Sequence, residues 1–246
     1  MSSQFCSGGG IHDKCGGVLE YDPDIEACCG NSIYNPETHF CHEEQTYYCG
    51  SQPYNPLTHL CDARDEKLYR YVEIGTQTWM AENLNYNAAG SWCYGDNTGG
   101  DSQNRCSTYG RLYDWNTTMA GTSSSNLNPS GVRGACPQGW HVPSDAEWTQ
   151  LENFVGGNAG AKLKATSGWN SGSGTDEFGF SALPGGYGNS GNAGNYVGNI
   201  GYWWSTTEYS YSSDRAYDRN MNYNRNSLGR TDYTKSYLFS VRCVQD

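Results

Sequence analysis

The fold of the larger part of this chain depends on one stretch, Tyr71-Val-Glu-Ile-Gly-Thr-Gln-Thr-Trp-Met-Ala-Glu-Asn-Leu-Asn-Tyr86. Its β-branched and aromatic residues are concentrated in two short runs, at 69–74 and 78–81, which flank Gly75-Thr-Gln. Such runs around a glycine-containing turn are typical of two antiparallel strands. The stretch therefore predicts a β-hairpin at the start of a domain that covers residues 67–246.

Two helices are predicted beyond this hairpin. The stronger one begins at a capping box formed by Ser144 and Glu147, continues through an apolar stripe and ends at Gly156. The shorter one is predicted at 111–119, where apolar residues again share one helical face. The segment 185–201 is rich in Gly, Asn and Ser and is interpreted as a long surface loop. Further short strands are predicted at 178–183, 202–206, 215–223 and 237–244, so the domain is expected to be of the α+β class.

The composition excludes several classes of protein. The 246 residues include 32 Gly, 20 Tyr and 8 Trp, and only 17% of them are charged. Disorder is not expected because so many aromatic rings can bury large areas, and a long helical protein is not compatible with this much glycine. No apolar run of about 18 residues is present, so no transmembrane helix is predicted. The net charge of −11 makes nucleic acid an unsuitable partner.

Cysteine usage indicates the compartment. Seven of the eleven cysteines lie within the first 61 residues, a density typical of a disulfide scaffold. Zinc binding is the alternative, but zinc sites usually contain Cys-x2-4-Cys pairs, and this sequence has none. Disulfides form in oxidising environments, so the protein is expected to be secreted or displayed on a cell surface. The sequence begins Met-Ser-Ser and shows no basic segment followed by an apolar one, so no signal peptide is recognised in it.

Residues 1–66 are interpreted as an acidic stalk made of repeats. They contain eleven acidic and two basic residues, a net charge of −9, whereas residues 67–246 have a net charge of −2. Three units, at 15–28, 29–41 and 49–61, open with Cys-Gly, contain Tyr-Asn-Pro or Tyr-Asp-Pro and close with Cys. Because Asn-Pro and Asp-Pro begin turns, each unit predicts a small hairpin.

The preferred disulfide scheme closes each repeat and leaves Cys6 unpaired, where this thiol could join two copies of the chain. A rival scheme joins cysteines across the spacers, and the sequence alone leaves both open. The first scheme consists of Cys15–Cys28, Cys29–Cys41 and Cys49–Cys61, and the second contains Cys6–Cys15 and Cys41–Cys49.

The domain over residues 67–246 resembles a known family. Residues 71–86 are similar to the opening of the Fibrobacter succinogenes major paralogous domain family, and the resemblance continues in order to the end of the chain. Its further motifs are Tyr109-Gly-Arg-Leu-Tyr-Asp-Trp, Cys136-Pro-Gln-Gly-Trp-His-Val-Pro-Ser-Asp-Ala-Glu-Trp, Gly168-Trp-Asn, Asp176-Glu-Phe-Gly-Phe-Ser-Ala-Leu-Pro-Gly-Gly, Gly201-Tyr-Trp-Trp-Ser-Thr-Thr-Glu and Phe239-Ser-Val-Arg-Cys-Val. The Cys/Tyr-Asn-Pro repeats also resemble those that precede such domains in surface proteins.

The resemblance implies a branch of the C-type-lectin-like fold, which is shared with formylglycine-generating enzymes. In that fold the two ends of the domain pair as neighbouring strands, and a cysteine of the helical region is joined to the last strand. Cys136 and Cys243 match those positions, so a bridge between them is implied, and a Cys93–Cys106 bridge would then close a shorter loop. The expected architecture is a C-type-lectin-like domain preceded by disulfide-closed hairpins.

Catalysis is not expected from this domain. The formylglycine-generating relatives use a reactive cysteine pair, and residues 67–246 have no pair left once the implied bridges form. That region contains a single histidine, His141, for which a core position is favoured over a catalytic one. The main alternative to a binding module is a structural subunit of a surface layer or filament, and an enzyme related to the oxidases is the lesser alternative.

The Tyr-, Asn- and Arg-rich C-terminal segment is the predicted binding surface. Its residue types resemble those of a binder's paratope, which combines rigid amphipathic rings with adaptable hydrogen bonds. The expected ligand is a polysaccharide or a surface protein, and no cofactor is required. The predicted ligand-binding residues are Tyr209, Tyr211, Asp214, Tyr217, Arg219, Asn222, Asn224, Arg230 and Tyr233.

A structural calcium ion is the one cofactor that the sequence suggests. Lectins of the implied fold bind sugar through Ca²⁺ held by Glu-Pro-Asn or Gln-Pro-Asp, and this sequence has Ala182-Leu-Pro-Gly instead. Oxygen ligands do cluster at Asp96, Asn97 and Asp101, which could hold Ca²⁺. A polar turn inside a disulfide loop is the favoured interpretation of these three residues.

Overall fold

The structure of the chain is a computed structural model that describes residues 14–15, 19–20, 27–29, 32–35, 39–43, 45–93, 105–171, 174–189 and 192–246. The chain divides into two compact units, Met1–Tyr69 and Arg70–Asp246. In the parts of the chain so described, no helix is both long enough and apolar enough to cross a membrane.

The first unit consists of short strands. They are β1 (Lys14–Cys15), β2 (Leu19–Glu20), β3 (Ala27–Cys29), β4 (Ser32–Tyr34), β5 (Cys41–His42), β6 (Gln45–Thr46), β7 (Tyr48–Cys49), β8 (Gln52–Pro53) and β9 (His59–Asp62). From β1 to β8 they pair two by two as antiparallel hairpins. The next strand, β10 (Lys67–Ile74), contains the boundary between the two units.

Two of the repeats have the same turn geometry. The amide of His39 donates to the carbonyl of Asn35 over 2.9 Å, and the amide of His59 donates to the carbonyl of Asn55 over 3.0 Å. The Asn55 side chain also accepts a hydrogen bond from the Leu57 amide at 2.8 Å. This contact is the Asx turn that an Asn-Pro dipeptide favours, so the sequence repeat is also a structural repeat.

The disulfides described in the first unit are Cys29–Cys41 and Cys49–Cys61. Each closes one repeat, as the preferred scheme predicts, and they exclude the rival bridge between Cys41 and Cys49. The predicted Cys15–Cys28 bridge depends on the side chain of Cys15, which the structure does not describe, and the predicted unpaired thiol of Cys6 lies outside the described residues.

The second unit is a mixed α+β domain in which strands predominate. Its described helices are α1 (Arg105–Tyr109), α2 (Trp115–Met119), α3 (Asp145–Val155) and α4 (Ala159–Leu163). Its strands after β10 are β11 (Gln77–Met80), β12 (Trp140–His141), β13 (Tyr187–Asn189), β14 (Asn192–Asn195), β15 (Ile200–Glu208), β16 (Arg215–Asn222), β17 (Gly229–Thr234) and β18 (Val244–Gln245).

The predicted hairpin is present as β10 and β11. The turn between them uses Gly75 at φ +67°, a conformation that favours glycine. The last strand, β18, pairs with β11 through Val244 and Trp79, and also pairs with β12. The sheet order within this unit is β12, β18, β11, β10, so the C-terminal strand lies beside the N-terminal hairpin.

The disulfides described in the second unit are Cys136–Cys243 and Cys93–Cys106, with sequence separations of 107 and 13 residues. Both are the bridges that the family resemblance implies. Because Cys243 immediately precedes β18, the longer bridge holds the last strand against the segment that leads into β12. A bridge of this length constrains the unfolded chain strongly.

Helix α3 begins and ends where the sequence predicts. The Ser144 hydroxyl accepts a hydrogen bond from the Glu147 amide, and the Glu147 carboxylate accepts one from the Ser144 amide, which completes the capping box. The helix packs on β15 and β16. Its fully buried Trp148 lies between Trp79 and Trp203, with ring centroids 4.7 and 6.4 Å away, at the centre of the main core.

A second sheet, in the order β15, β16, β17, carries the site described below. Trp203 and Met221, on one face of this sheet, belong to the core under α3. Tyr202, Trp204 and Ala216, on the other face, pack with residues of α2 in a separate cluster. The sheet is therefore covered on both faces near its centre.

Two predicted strands do not form. Residues 178–183 contain only an isolated bridge between Ala182 and Lys164, and the chain at 237–244 makes isolated bridges until β18 begins at its last residue. Both runs are apolar because their side chains fill the core, not because their backbones pair in a ladder. Hydrophobic patterns in a sequence indicate that side chains are buried, and side chains can be buried without the backbone forming a strand.

Two other elements differ from prediction. The helix predicted at 111–119 begins only at Trp115, because the Asp114 carboxylate accepts a hydrogen bond from the Thr117 amide at 2.6 Å and caps the helix there. The segment predicted as a loop, 185–201, contains the hairpin of β13 and β14 and the start of β15. The short elements α1, α4, β12 and β17 are not predicted by the sequence patterns.

Candidate functional site

Five of the nine residues of the predicted binding surface lie on strands of the β15–β17 sheet, and they are divided between its two faces. Side chains alternate along a strand, and Tyr233 on β17 lies opposite Ala216 on β16. Tyr217 and Arg219 therefore share the face that packs on α3, whereas Asn222 and Tyr233 belong to the opposite face. The predicted residues do not form one surface.

The side chain of Arg219 is buried and bonds to other parts of the fold. Its side chain is only 1% exposed, and its guanidinium donates to Asp145 Oδ1 at 2.8 Å, to Glu152 Oε2 at 2.8 Å and to Thr149 Oγ1 at 2.6 Å. These three partners lie three to four residues apart on one face of α3. Arg219 thus fastens α3 to β16 and is not presented to a ligand, in contrast to the sequence-based assignment.

Four predicted residues do lie together, and we call Tyr209, Tyr211, Tyr217 and Arg230 the edge patch. The ring centroid of Tyr209 lies 5.5 Å from those of Tyr211 and Tyr217, and Arg230 Cζ lies 3.7 Å from the Tyr217 ring. The Arg230 Nε donates to Asp145 Oδ2 at 2.8 Å, which fixes the guanidinium from α3. The rings are inclined to one another by 59° and 84°, so the edge patch is not a flat platform.

Asp214 and Asn224 lie in exposed turns. The Asp214 carbonyl accepts a hydrogen bond from the Lys235 amide at 2.8 Å, and its carboxylate accepts one from the Ser212 hydroxyl. The Asn224 amide donates to Asn222 Oδ1 at 3.2 Å. Turn geometry accounts for both residues.

A cavity of about 420 Å³ opens on the face opposite α3, and we call it the tyrosine cavity. Its lining consists of Tyr187, Tyr196, Asn199, Ile200, Tyr202, Asn222 and Tyr223. The volume lies within the range of about 300–1,000 Å³ that is usual for ligand pockets. Asn222 is the member of the predicted binding surface that lines it, and Tyr233 packs behind Tyr202 with ring centroids 5.5 Å apart.

A tight turn before β15 shapes the cavity. The amides of Asn199 and Ile200 both donate to the Tyr196 carbonyl, at 3.0 and 3.2 Å. The Tyr223 amide donates to the Asn199 carbonyl at 2.7 Å, which ties this turn to the end of β16. Aromatic side chains from β13, the turn, β15 and the end of β16 are thereby brought together.

Tyr196 has a strained backbone conformation. Its φ of 62° lies in the left-handed region, which bulky residues rarely adopt. Its ring is 60% exposed and stacks on Tyr187, with centroids 5.8 Å apart and an interplanar angle of 12°. Left-handed backbone at a non-glycine residue costs about 1–3 kcal/mol, and such strain is concentrated at functional sites. Here the left-handed backbone places an exposed tyrosine ring at the cavity.

The inner wall of the cavity is formed by Tyr202. Its ring stacks on Phe239, with centroids 4.7 Å apart, and its hydroxyl lies 3.4 Å from the Tyr233 hydroxyl. Burial, together with the hydrogen bond to Tyr233, raises the pKa of Tyr202. The phenol is therefore neutral throughout the physiological range and keeps its proton for hydrogen bonding.

A carboxyl group is buried on the same face of the sheet. Asp218 is fully buried, and its oxygens accept hydrogen bonds from Thr231 Oγ1 at 2.8 Å and Asn220 Nδ2 at 3.1 Å. Both donors are neutral, and burial raises the pKa of Asp218 to about 7. Because alternate residues of a strand share a face, Asp218 lies on the same face of β16 as Asn222 in the cavity.

The groups that line the cavity can stack on a ligand and form hydrogen bonds with it. The phenol rings offer faces for stacking and hydroxyls for hydrogen bonds, and Asn199 and Asn222 offer amides. Among the described residues, no group of three His, Cys, Asp or Glu side chains is placed to hold a metal ion. The calcium ligands predicted from the sequence, Asp96, Asn97 and Asp101, lie outside the described residues.

Sequence reasoning missed most of the cavity because its residues lie in segments with few local signals. Tyr187 and Tyr196 occur in the glycine-rich stretch that was predicted to be loop, and Tyr223 follows the last residue of β16. The available signal was the presence of bulky aromatic residues inside a stretch of Gly, Asn and Ser. Large rings in such a segment need either a core or a ligand to contact them.

The family resemblance is confirmed. The profile of the Fibrobacter succinogenes major domain matches residues 72–245, which include the tyrosine cavity and the edge patch. Comparisons with curated proteins and with solved structures each gave no significant match. Since the matched range covers well over half of the sequence, the chain belongs to the Fibrobacter succinogenes major domain family.

Proposed function

We propose that this protein is an extracellular binding module that holds polysaccharide in the tyrosine cavity without converting it chemically. The conformation and position of Tyr196 are the main support for this proposal. Its exposed ring is kept in a strained conformation beside a cavity of about 420 Å³, where it stacks on Tyr187. Sugar rings present C–H faces that pack on aromatic rings, and hydroxyls that pair with phenols and amides.

Binding without chemistry is supported by the kinds of side chain that surround the cavity. Glycoside hydrolysis usually requires two carboxyl groups on either side of the scissile bond. The lining described here consists of tyrosine, asparagine and isoleucine, and Asp218 behind it is fully buried. These groups can orient a sugar, but the described lining does not supply the acid pair.

The extracellular location is supported by the disulfides. Four bridges are described in the chain, and such bridges persist in oxidising environments. The proposal includes the C-type-lectin-like fold that the family resemblance implies. The pairing of β18 with β11 and the Cys136–Cys243 bridge support that fold. Residues 1–66 would act as a spacer for the binding domain.

The tyrosine cavity is a better ligand site than the edge patch. A polysaccharide lying on an exposed surface needs aromatic rings in nearly one plane, and the rings of the edge patch are strongly inclined. In the cavity, Tyr187 and Tyr196 stack on each other, Tyr196 stays 60% exposed, and amide groups lie beside the two rings. The cavity therefore offers both stacking and hydrogen bonds at one place.

The test uses the whole chain on a glycan array and in pull-downs with insoluble polysaccharides. Tyr196→Ala removes the exposed ring of the cavity, and Tyr211→Ala removes an 86% exposed ring of the edge patch as the matched control. We expect the Tyr196 variant to lose binding and the Tyr211 variant to keep it. Loss of binding in the control alone would place the ligand at the edge patch, and an unmodified protein that binds no glycan would contradict the proposed function.

A further inference from the structure

The lining of the tyrosine cavity, as far as the structure describes it, is uncharged. The described lining consists of four tyrosines, two asparagines and one isoleucine, so it offers phenol and amide groups but no guanidinium or ammonium group. A carboxylate that leaves water for a protein site needs a cation or several N–H donors in return. Neutral hydroxyl groups need only single hydrogen bonds, which phenols and amides supply.

None of the cations of the surrounding elements, Arg225 in the exposed turn after β16 included, is among the described residues that line the cavity. Arg219 and Arg230 are paired with Asp145 on the opposite face of the sheet. The buried ammonium of Lys164 lies closer, but it donates to the backbone carbonyls of Asn222 and Arg225 at 3.2 and 3.1 Å. Its hydrogen bonds are thus directed at the turn after β16 and not at the side chains that line the cavity.

Asp218 adds a negative charge behind the cavity wall. Tyr202 in the cavity wall pairs with Asn220, and Asp218 is the next residue on that face of β16. The Asp218 charge is also among the causes that raise the pKa of Tyr202, after burial and the hydrogen bond to Tyr233. The charged groups that act on Asp218 are Arg219, the next residue of β16, and Asp232 on β17. Neither donates a hydrogen bond to its oxygens, which are held by Thr231 and Asn220.

We propose, building on the glycan-binding function above, that the tyrosine cavity selects neutral glycans and excludes glycans that carry carboxylates, with Asp218 strengthening the exclusion. A uronic acid in the cavity would lose hydration without gaining a cation, and it would be repelled by the Asp218 carboxylate. Asp218 ionises near neutrality, so its repulsion is present above about pH 7 and absent well below it.

The experiment compares matched pairs of probes. Oligosaccharides of glucan, mannan and galactan are each titrated beside the same oligosaccharide oxidised at C6 to the uronic acid, at about pH 5.5 and about pH 8.5. We expect the neutral member to bind about tenfold or more tightly than its acidic counterpart, with a larger ratio at the higher pH. Asp218→Asn should keep neutral binding and make the ratio independent of pH, whereas Asp214→Asn, which removes a charge in an exposed turn, should behave as the unmodified protein.

The outcomes separate this inference from the function on which it rests. An acidic member that binds as tightly as its neutral partner, and is lost in Tyr196→Ala, overturns the exclusion but leaves glycan binding intact. If the ratio of neutral to acidic affinity does not change with pH in the unmodified protein, Asp218 does not contribute to the exclusion of carboxylates. If none of the six probes binds, the glycan-binding function falls and this inference falls with it.

Discussion

His141 Nε2 lies 2.7 Å from Glu147 Oε1, and both side chains are only 2% exposed. The second carboxylate oxygen of Glu147 accepts hydrogen bonds from the amides of Ser144 and Ser130, at 2.9 and 3.0 Å. One buried carboxylate thus joins the cap of α3 to β12 and to the segment before it. Burial lowers the pKa of His141, but its hydrogen bonds and charge interactions with Glu147 and Asp246 outweigh that effect, so the net pKa is raised.

The raised pKa of His141 predicts how stability depends on pH. The contribution of a raised histidine is fully present below its ordinary pKa of about 6.5, and is lost as the pH rises through the raised value. We expect Glu147→Gln to lower the free energy of unfolding by on the order of 2 kcal/mol more at about pH 5 than at about pH 9. Urea unfolding at both pH values measures this, with the exposed Glu177→Gln as control. Equal losses at the two pH values would show that the charge of the pair contributes nothing.

The raised pKa of Asp218 predicts a second loss of stability with rising pH. Its pKa is raised from 3.8 to about 7, so the folded protein binds this proton more tightly than the unfolded chain does. Stability from this group is therefore greatest below its ordinary pKa and declines until the pH exceeds about 7. We expect Asp218→Asn to remove the decline and to raise the free energy of unfolding at about pH 8.5 by on the order of 3 kcal/mol.

Chemical unfolding of Asp218→Asn between about pH 5 and about pH 8.5 provides that measurement. At about pH 5 the folded carboxyl group is still protonated but the unfolded chain has already released this proton, so the gain in stability of the variant should be present there and smaller than at about pH 8.5. A variant that is destabilised at the higher pH would mean that the ionised Asp218 is better solvated or paired than its neutral hydrogen-bond donors indicate.

Arg219 and Arg230 make a matched pair for testing which residues maintain the fold. Arg219 is 1% exposed and bonds to α3 through several side chains, whereas the Arg230 side chain is 45% exposed. Removal of one partner from a buried ion pair typically costs about 3–5 kcal/mol, and exposed pairs contribute about 0–1 kcal/mol. We expect Arg219→Met to lower the free energy of unfolding by several times the loss in Arg230→Met. Similar losses in denaturant unfolding would contradict the role assigned to Arg219.

The elements that could be predicted from the sequence are those whose signals are local. The capping box of Ser144 and Glu147 lies within four consecutive residues, and the hairpin turn at Gly75 lies between two runs of strand formers. Local chemistry fixes such features almost independently of the rest of the chain. The family motifs added the Cys136–Cys243 bridge, which no local signal indicates.

The site could not be predicted in the same way, because it depends on which face of a strand a residue occupies and on what covers that face. Arg219 and Tyr217 both belong to a polar, aromatic segment that resembles a binding surface. Their shared face is covered by α3 at Arg219 and open at Tyr217, a difference that arises from the packing of a helix some seventy residues earlier. The tyrosine cavity likewise needs β13, β15 and the end of β16 to meet.

The two disulfides of the second unit should differ in their contribution to stability. In the chain-entropy model, closing a loop of about 100 residues contributes about 4.7 kcal/mol, and closing one of about 15 residues contributes about 3 kcal/mol. The sequence separations here are 107 and 13 residues. We therefore expect the double variant Cys136→Ala/Cys243→Ala to unfold at lower denaturant concentration than Cys93→Ala/Cys106→Ala. Equal midpoints would show that loop closure does not determine the difference.

Substitution of Tyr196 should separate backbone strain from ligand binding. Glycine adopts a φ of 62° without strain, whereas alanine keeps the strain of about 1–2 kcal/mol that a left-handed L-residue bears. Both substitutions remove the stack on Tyr187, which is worth about 0.5–1.5 kcal/mol. We therefore expect Tyr196→Gly to be more stable than Tyr196→Ala in urea unfolding, although neither binds the ligand.

Tyr211 provides the control for that comparison. It is exposed like Tyr196, but its φ does not lie in the left-handed region. There glycine gains no relief and loses more backbone entropy on folding, by about 0.5–1 kcal/mol relative to alanine. The order of stability should therefore be reversed, with Tyr211→Ala above Tyr211→Gly. If glycine is the less stable substitution at both positions, the backbone of Tyr196 is not strained. The exposed ring of Tyr196 would then give no indication that the cavity is maintained at the expense of stability.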